Sequence, residues 1–202
     1  MEKQLKYKNI SEKIKNYDEL VKNYERNYCS DIKPFHFKNI SLNTLNKHRV
    51  KLCYDDPYMG DTTIPFFNPI NNGIESLFIK VKGDIKPKYL YSSYSTLQED
   101  ILYGHFSKEK DYIVAVEGFT AYFYLYEMGY NVCAVNGNSI SANQAYTLNK
   151  FNKRIIVGDN DMAGLQLCKC GSKLLKDKKT LLLSGNDNKS LNQLIESIKE
   201  LI

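Results

Sequence analysis

Two acidic motifs stand about forty residues apart in this chain of 202 residues, each directly after a short apolar run. Ile113-Val114-Ala115-Val116 leads into Glu117-Gly118. Ile155-Ile156-Val157-Gly158 leads into Asp159-Asn160-Asp161-Met162-Ala163-Gly164. If both runs are parallel strands of one open α/β sheet, their ends share the edge at which such sheets bind ligands. Glu117, Asp159 and Asp161 then converge. Three carboxylates brought together repel one another unless a cation sits among them. Hard oxygen donors suit magnesium or manganese. The chemistry expected is a divalent-metal site that handles phosphates.

Each acid also has a plain structural role open to it. Glu117 could complement a helix dipole from the first turn. Asp159 and Asp161 could be loop or capping residues. Their joint placement at two strand ends is what favours the site. Gly118 and Gly164 read as points of close backbone approach or helix–sheet packing. Asn138 and Asn192 are further polar candidates near the same edge, with turn and capping roles as the alternative.

The elements that must position these residues follow by alternation. Strands are expected at 113–116, 131–135, 154–157 and 180–183, and helices at 119–128, 141–150, 163–175 and 191–201. Gly129 ends the first helix, and Ser139 or Ser141 caps the second. Four βα units with apolar strands predict a parallel sheet covered by helices on both faces.

The first half of the chain is less regular. In residues 1–30, Ile14, Tyr17, Val21, Tyr24 and Tyr28 recur at three- and four-residue steps, which predicts an amphipathic helix. It either covers its own core or binds a partner. Thr62–Asn68 and Ser76–Val81 flank Asn71-Asn72-Gly73 and read as a hairpin. Lys80, Lys82, Lys86 and Lys88 follow, interleaved with Tyr89, Tyr91 and Tyr94. A basic face beside aromatics suits a phosphate backbone with stacked bases. A solvated edge strand protected by lysines is the alternative.

Composition sets outer limits. The net charge of +5 permits nucleic-acid binding without demanding it. No run of about eighteen apolar residues suggests a membrane span, and Met1–Lys6 lacks a signal-peptide core, so a cytoplasmic protein is expected. The five cysteines include no CxxC pair, which argues against a zinc ribbon. Cys168 and Cys170 fall on nearly opposite sides of a predicted helix and cannot share a metal there. His36, His48 and His105 read as isolated surface or packed residues.

The last ninety residues resemble a Toprim domain, the fold shared by topoisomerases, bacterial-type primases and some nucleases. Strand–Glu117-Gly118–helix and strand–Asp159-x-Asp161–Ala163-Gly164 are the hallmarks that carry the likeness. Ile64-Pro65-Phe66-Phe67-Asn68, the turn at Gly73, Lys86–Ser92 and Leu102-Tyr103-Gly104 resemble, in the same order, the segments of bacterial-type DNA primases. Asn136-Gly137-Asn138-Ser139 followed by Gln144 resembles the primase loop after the second strand. The compact primase-like proteins of phages and mobile elements look most similar.

The chain reads as three parts: an amphipathic helical segment at 1–30 from its periodicity and, from the resemblance, a small basic primase-like α+β subdomain at 31–110 and a Toprim domain at 111–202. The resemblance implies a nucleotidyltransferase that makes RNA primers on single-stranded DNA from nucleoside triphosphates with magnesium or manganese. Glu117, Asp159 and Asp161 would be the catalytic and metal residues. Lys80, Lys82, Lys86, Lys88 and Asn138 would contact nucleic acid or nucleotide. A replicative helicase or another replication protein would be the protein partner. The chain departs from the family pattern in two ways. It lacks the cysteines of a zinc module, and Lys189-Ser190-Leu191-Asn192-Gln193 is neutral where the family carries a further acidic pair. Asp187 is the nearby substitute. A metal-dependent Toprim nuclease and a catalytically weak single-stranded-DNA-binding subunit are the alternatives.

Overall fold

The computed structural model describes residues 24, 28–29, 37, 39–53, 62–67, 74–80, 89–91, 101–184 and 188–202. The chain divides into two compact units, Met1–Ser95 and Thr96–Ile202.

In the first unit, β1 (Tyr28–Cys29), β2 (Lys51–Cys53), β3 (Thr62–Phe67), β4 (Ile74–Lys80) and β5 (Tyr89–Tyr91) form an antiparallel sheet in that order. The short helix α1 (Leu42–Lys47) precedes β2, with the Ser41 hydroxyl accepting from the Thr44 N–H at its start. β3 and β4 pair from Thr62↔Lys80 to Phe67↔Ile74, as the hairpin reading requires; its Asn-Gly turn lies outside the described residues. Pro65 sits opposite Leu77 in β4. On its other side, among the described residues, β3 meets β2 only at Thr62 and Thr63, away from Pro65.

Two expectations for this unit change. The helical period does not reach Tyr28, because Tyr28 and Cys29 pair with Cys53 and Leu52 of β2. Backbone pairing with a neighbouring strand overrides local periodicity. Tyr24 is helical and buried, with its hydroxyl donating to the Arg49 carbonyl; Ile14, Tyr17 and Val21 lie outside the described residues. Lys80, for its part, is not on an edge strand, since β4 is flanked by β3 and β5. Lys82, Lys86 and Lys88 lie outside the described residues.

The second unit is a four-stranded parallel sheet of β6 (Tyr112–Val116), β7 (Val132–Ala134), β8 (Lys153–Asp159) and β9 (Lys178–Leu183), in the order β7-β6-β8-β9. Between and after the strands come α2 (Phe119–Glu127), α3 (Ala142–Leu148), α4 (Met162–Leu174) and α5 (Asn188–Leu201). This is the α/β sheet flanked by helices that the alternation predicts. Ile113, Ala115, Cys133, Val135 and Ile156 share one face with Ala145 and Leu148 of α3 and Leu167 of α4. Two-residue alternation sends Val114, Val116, Val132, Ile155 and Val157 to the other face. There, α2 and α5 are joined by the Tyr124 hydroxyl donating to Asn192 Oδ1 at 3.2 Å.

Several residues fix the frame. Gly129, at φ 82°, ends α2, and the Tyr130 N–H returns to the Leu125 carbonyl at 3.0 Å. Ser141 caps α3 in a capping box with Gln144. The buried Gln144 amide also donates to the carbonyls of Ile101 (3.2 Å) and Val135 (3.3 Å). Tyr103 adds an antiparallel bridge to Ala134 on the outer edge of β7. Its ring stands edge-on to Phe119 and Tyr122. Gly104, at φ 125°, is packed against the Tyr122 ring so closely that a Cβ would overlap it. At the amino end of β8, the buried Arg154 guanidinium donates to the carbonyls of Asn149, Phe151 and Lys176.

α4 lies on β8 through Gly164, Leu167 and Gly171, the residues it buries. A Cβ on Gly164 would fall inside the Asp159 backbone, and one on Gly158 inside the Gly164 carbonyl. One on Gly171 would strike the end of the Ile156 side chain, which can yield. We therefore expect Gly164→Ala to destabilise the protein by about 3 kcal/mol or more and Gly171→Ala by clearly less. Chemical denaturation of both variants checks this; equal costs would show that α4 moves freely off β8.

Candidate active site

Glu117 is the residue after β6 and Asp159 the last residue of β8, and the two strands are neighbours in parallel. Glu117 Oε2 accepts the backbone N–H of Asp159 at 3.2 Å. The expected meeting of the two motifs at one sheet edge is thus a direct contact. The Asp159 carbonyl in turn accepts the N–H of Asp161 at 2.8 Å, and the Asn160 N–H reaches the Leu183 carbonyl at 3.0 Å. The Asp159–Asp161 turn is thereby tied to both β8 and β9.

Asp161 has a structural task as well. It is the N-cap of α4, and its Oδ1 accepts the Gly164 N–H at 2.9 Å. A carboxylate has two oxygens and about four lone-pair sites, so capping leaves acceptor capacity on the group. Among the described residues, no three His, Cys, Asp or Glu side chains stand in metal-holding geometry. What the structure brings together is Glu117 with the Asp159 backbone, and Asp161 at the head of α4 beside them.

Electrostatics link all three. Burial raises the half-buried Glu117 carboxyl above its ordinary range; the Asp159 N–H opposes this, and the charges of Asp159 and Asp161 add to it. An all-carboxylate edge whose charged form is already disfavoured matches a hard divalent cation in donor chemistry and in sign. Glu117 does not serve α2 as a first-turn acid. Gly118 is the N-cap, and the first turn of α2 holds no acidic residue.

Gly118 departs from expectation. Its backbone is extended and a Cβ there would meet nothing within 4 Å, so close approach is the property of Gly164 and Gly158. Asn138 is exposed in the loop after β7. Asn192 is engaged with Tyr124, within the helix layer. Ser190 is buried and Gln193 exposed in α5, and Asp187 lies outside the described residues. Cys168 faces the Leu181 carbonyl and Cys170 the Ile140 backbone, so the two thiols do diverge. His48 is buried and His105 exposed.

One residue at this edge is named in the sequence only as part of the loop after the second strand, where Asn138 is the candidate. Asn136 follows β7 at φ 58°, with its N–H on the Glu117 carbonyl at 2.9 Å. Both polar atoms of its side chain are buried without a hydrogen-bond partner. An Asn-Gly pair directly after a strand was the available signal, but it reads equally well as an ordinary turn.

Residues 114–195 match the Toprim-like family. The chain carries a Toprim-like domain. Over 134 residues, 62% of this chain, it is 31% identical to a DNA primase of Aquifex aeolicus (strain VF5). The match spans 27%, about a quarter, of that relative's length. The fold resembles a DnaG primase catalytic domain solved bound to single-stranded DNA, with a TM-score of 0.60, 16% identity and coverage of 83% of this chain and 69% of that one. It also resembles the primase fragment of the bacteriophage T7 primase-helicase protein, with a TM-score of 0.61, 19% identity and coverage of 82% and 71%. Residues 114–195 are thus Toprim-like, and the fold is like that of solved primase catalytic cores. Among the described residues, no helix is long and apolar enough to cross a membrane.

The raised Glu117 carboxyl has a sign that can be measured. Protonation favours the fold, so this stability is complete below the unfolded value of about 4.3 and is lost as pH rises through the higher folded value. Glu117→Gln keeps an acceptor for the Asp159 N–H and removes the charge. Without divalent cations it is expected to melt above the parent protein at pH 7, modestly because the group is half-exposed, and level with it below about pH 4. Melting curves across that range test this, and a variant that melts lower at pH 7 would contradict it.

Proposed function

We propose that this protein is a primase-type nucleotidyltransferase that makes short RNA primers on single-stranded DNA. The observation that carries the reading is the Glu117 carboxylate on the Asp159 N–H, in a Toprim domain whose surroundings resemble primase cores. Glu117, Asp159 and Asp161 would hold magnesium or manganese. Such a cation, when bound, neutralises charge on the phosphoryl oxygens and aligns them for displacement.

The chain's own residues do the rest. A carboxyl with a raised pKa is better matched to receive a proton near neutral pH, which suits Glu117 for the proton of the attacking 3′-hydroxyl. The attack forms the new P–O bond at the α-phosphate and releases pyrophosphate. Lys80, Lys82, Lys86 and Lys88, with Asn138, would hold template or nucleotide phosphate, and Asp187 would supply a further acid. A replicative helicase or another replication protein would be the partner, and a phage or mobile element the setting. In this reading the parts are a leading segment at 1–30, a basic subdomain at 31–110 and a Toprim domain at 111–202.

A second reading is favoured by Ser190 and Gln193, neutral residues in the first half of α5 where the family carries acids. It makes the protein a weakly active subunit that binds single-stranded DNA.

Incubation with single-stranded DNA, labelled nucleoside triphosphates and manganese separates these. We expect short RNA ladders that require nucleotides and disappear in Glu117→Gln. DNA shortened without nucleotides, and protected by Asp159→Asn, would instead identify a Toprim nuclease. DNA binding without either product would identify the subunit. If the lysines track phosphates, changing all four to Ala should also flatten the log–log salt dependence of DNA binding, by roughly one unit for each phosphate no longer neutralised. An unchanged slope would leave them as a solvated face.

A further inference from the structure

Asn136 combines three features that an ordinary turn residue does not need together. Its backbone is left-handed, at φ 58°. Its N–H is fixed to the Glu117 carbonyl, so it stands at the edge that carries the acidic motifs. Its amide oxygen and nitrogen are both buried and unpartnered. Buried polar groups are almost always paired, and one that is not raises the energy of the state that holds it. Asn tolerates this backbone conformation better than most residues, but glycine tolerates it best. For stability alone, glycine would be the better residue here.

We propose that Asn136 is a binding residue of the acidic edge, and that its amide takes a hydroxyl-type group there. The inference rests on the divalent-metal nucleotide reading above. An amide offers an acceptor oxygen and a donor nitrogen side by side. A phosphate or carboxylate oxygen could satisfy only the nitrogen, and an ammonium only the oxygen. A hydroxyl or a water both donates and accepts, so it satisfies both. At this edge such a group has two sources: a sugar hydroxyl of a bound nucleotide, or a water carried by the cation. The residue as a whole is only partly buried, so a turn of its side chain would present the amide to either.

Asn136→Gly tests this by two readouts of opposite sign. The variant loses the orphaned amide and suits the backbone, so without ligands it should melt above the parent protein. Its affinity should fall on the order of tenfold, as for one lost hydrogen-bonding group. If the partner is a water on the cation, calorimetry with manganese alone shows the loss. If it is a sugar hydroxyl, manganese affinity is kept and binding of a ribonucleoside triphosphate falls towards that of its deoxy analogue. Unchanged affinity for both probes overturns the inference, whatever the melting temperature. So does a lower melting temperature with unchanged affinity, which would mean that a buried structural water holds the amide. A parent protein that binds manganese and nucleotide normally while Asn136→Gly is indistinguishable sinks this assignment alone. A parent protein that binds neither overturns the underlying reading and this assignment with it.

Discussion

No side chain fits between the end of β8 and the first turn of α4. Gly158 and Gly164 bring two backbones together where a Cβ on either would overlap main-chain atoms. Most of the acidic edge depends on that contact. It places the start of α4 directly over Asp159, which lets Asp161 cap the helix and brings the charges of Asp159 and Asp161 to bear on Glu117. Main-chain atoms cannot yield as a flexible side chain can, so the edge is set by the backbone and side-chain choice elsewhere hardly moves it.

That placement stores charge rather than relieving it. The Asp159 N–H on Glu117 stabilises the ionised carboxylate, but burial and the neighbouring aspartates outweigh it. The start of α4 carries a partial positive charge, and Asp161 is its N-cap. The deficit left on Glu117 has the sign that a cation's charge would offset.

Legibility followed the length scale of the interactions. The second unit was readable because its strands β6 and β7 and the middle of β8 are apolar runs and its helices carry local stop and start signals, such as Gly129 and the Ser141–Gln144 box. Glu117 and Asp159 were readable because a strand end fixes where the next residue lies. Asp161 was found as a ligand candidate, while its capping role was only one open alternative. Tyr28 and Cys29 were misread because their partner, β2, is more than twenty residues away in sequence and periodicity carries no record of it. Gly118 and Gly164 look alike in sequence, each following an acidic strand end, yet only Gly164 faces a backbone. Distinguishing them needs the crossing of α4 over β8. Asn138 rather than Asn136 stood out in the same loop for a related reason: burial of the Asn136 amide is a tertiary fact, and Asn-Gly is a common turn.

The two ends of the parallel sheet are built on opposite principles. At the amino end of β8, Arg154 is buried with its charge, yet its donors are spent on the carbonyls of Asn149, Phe151 and Lys176, which binds the ends of α3 and α4 to the sheet. Polar groups there are satisfied by the chain itself. At the carboxyl end, the charged form of Glu117 is disfavoured, and the Asn136 amide has no partner. A sequence optimised only for stability would treat both ends alike. Within the parallel sheet the contrast is one of chemistry: the amino end spends its polar groups on main-chain carbonyls, and the carboxyl end gathers carboxylates and an amide whose polar demand the described residues do not meet.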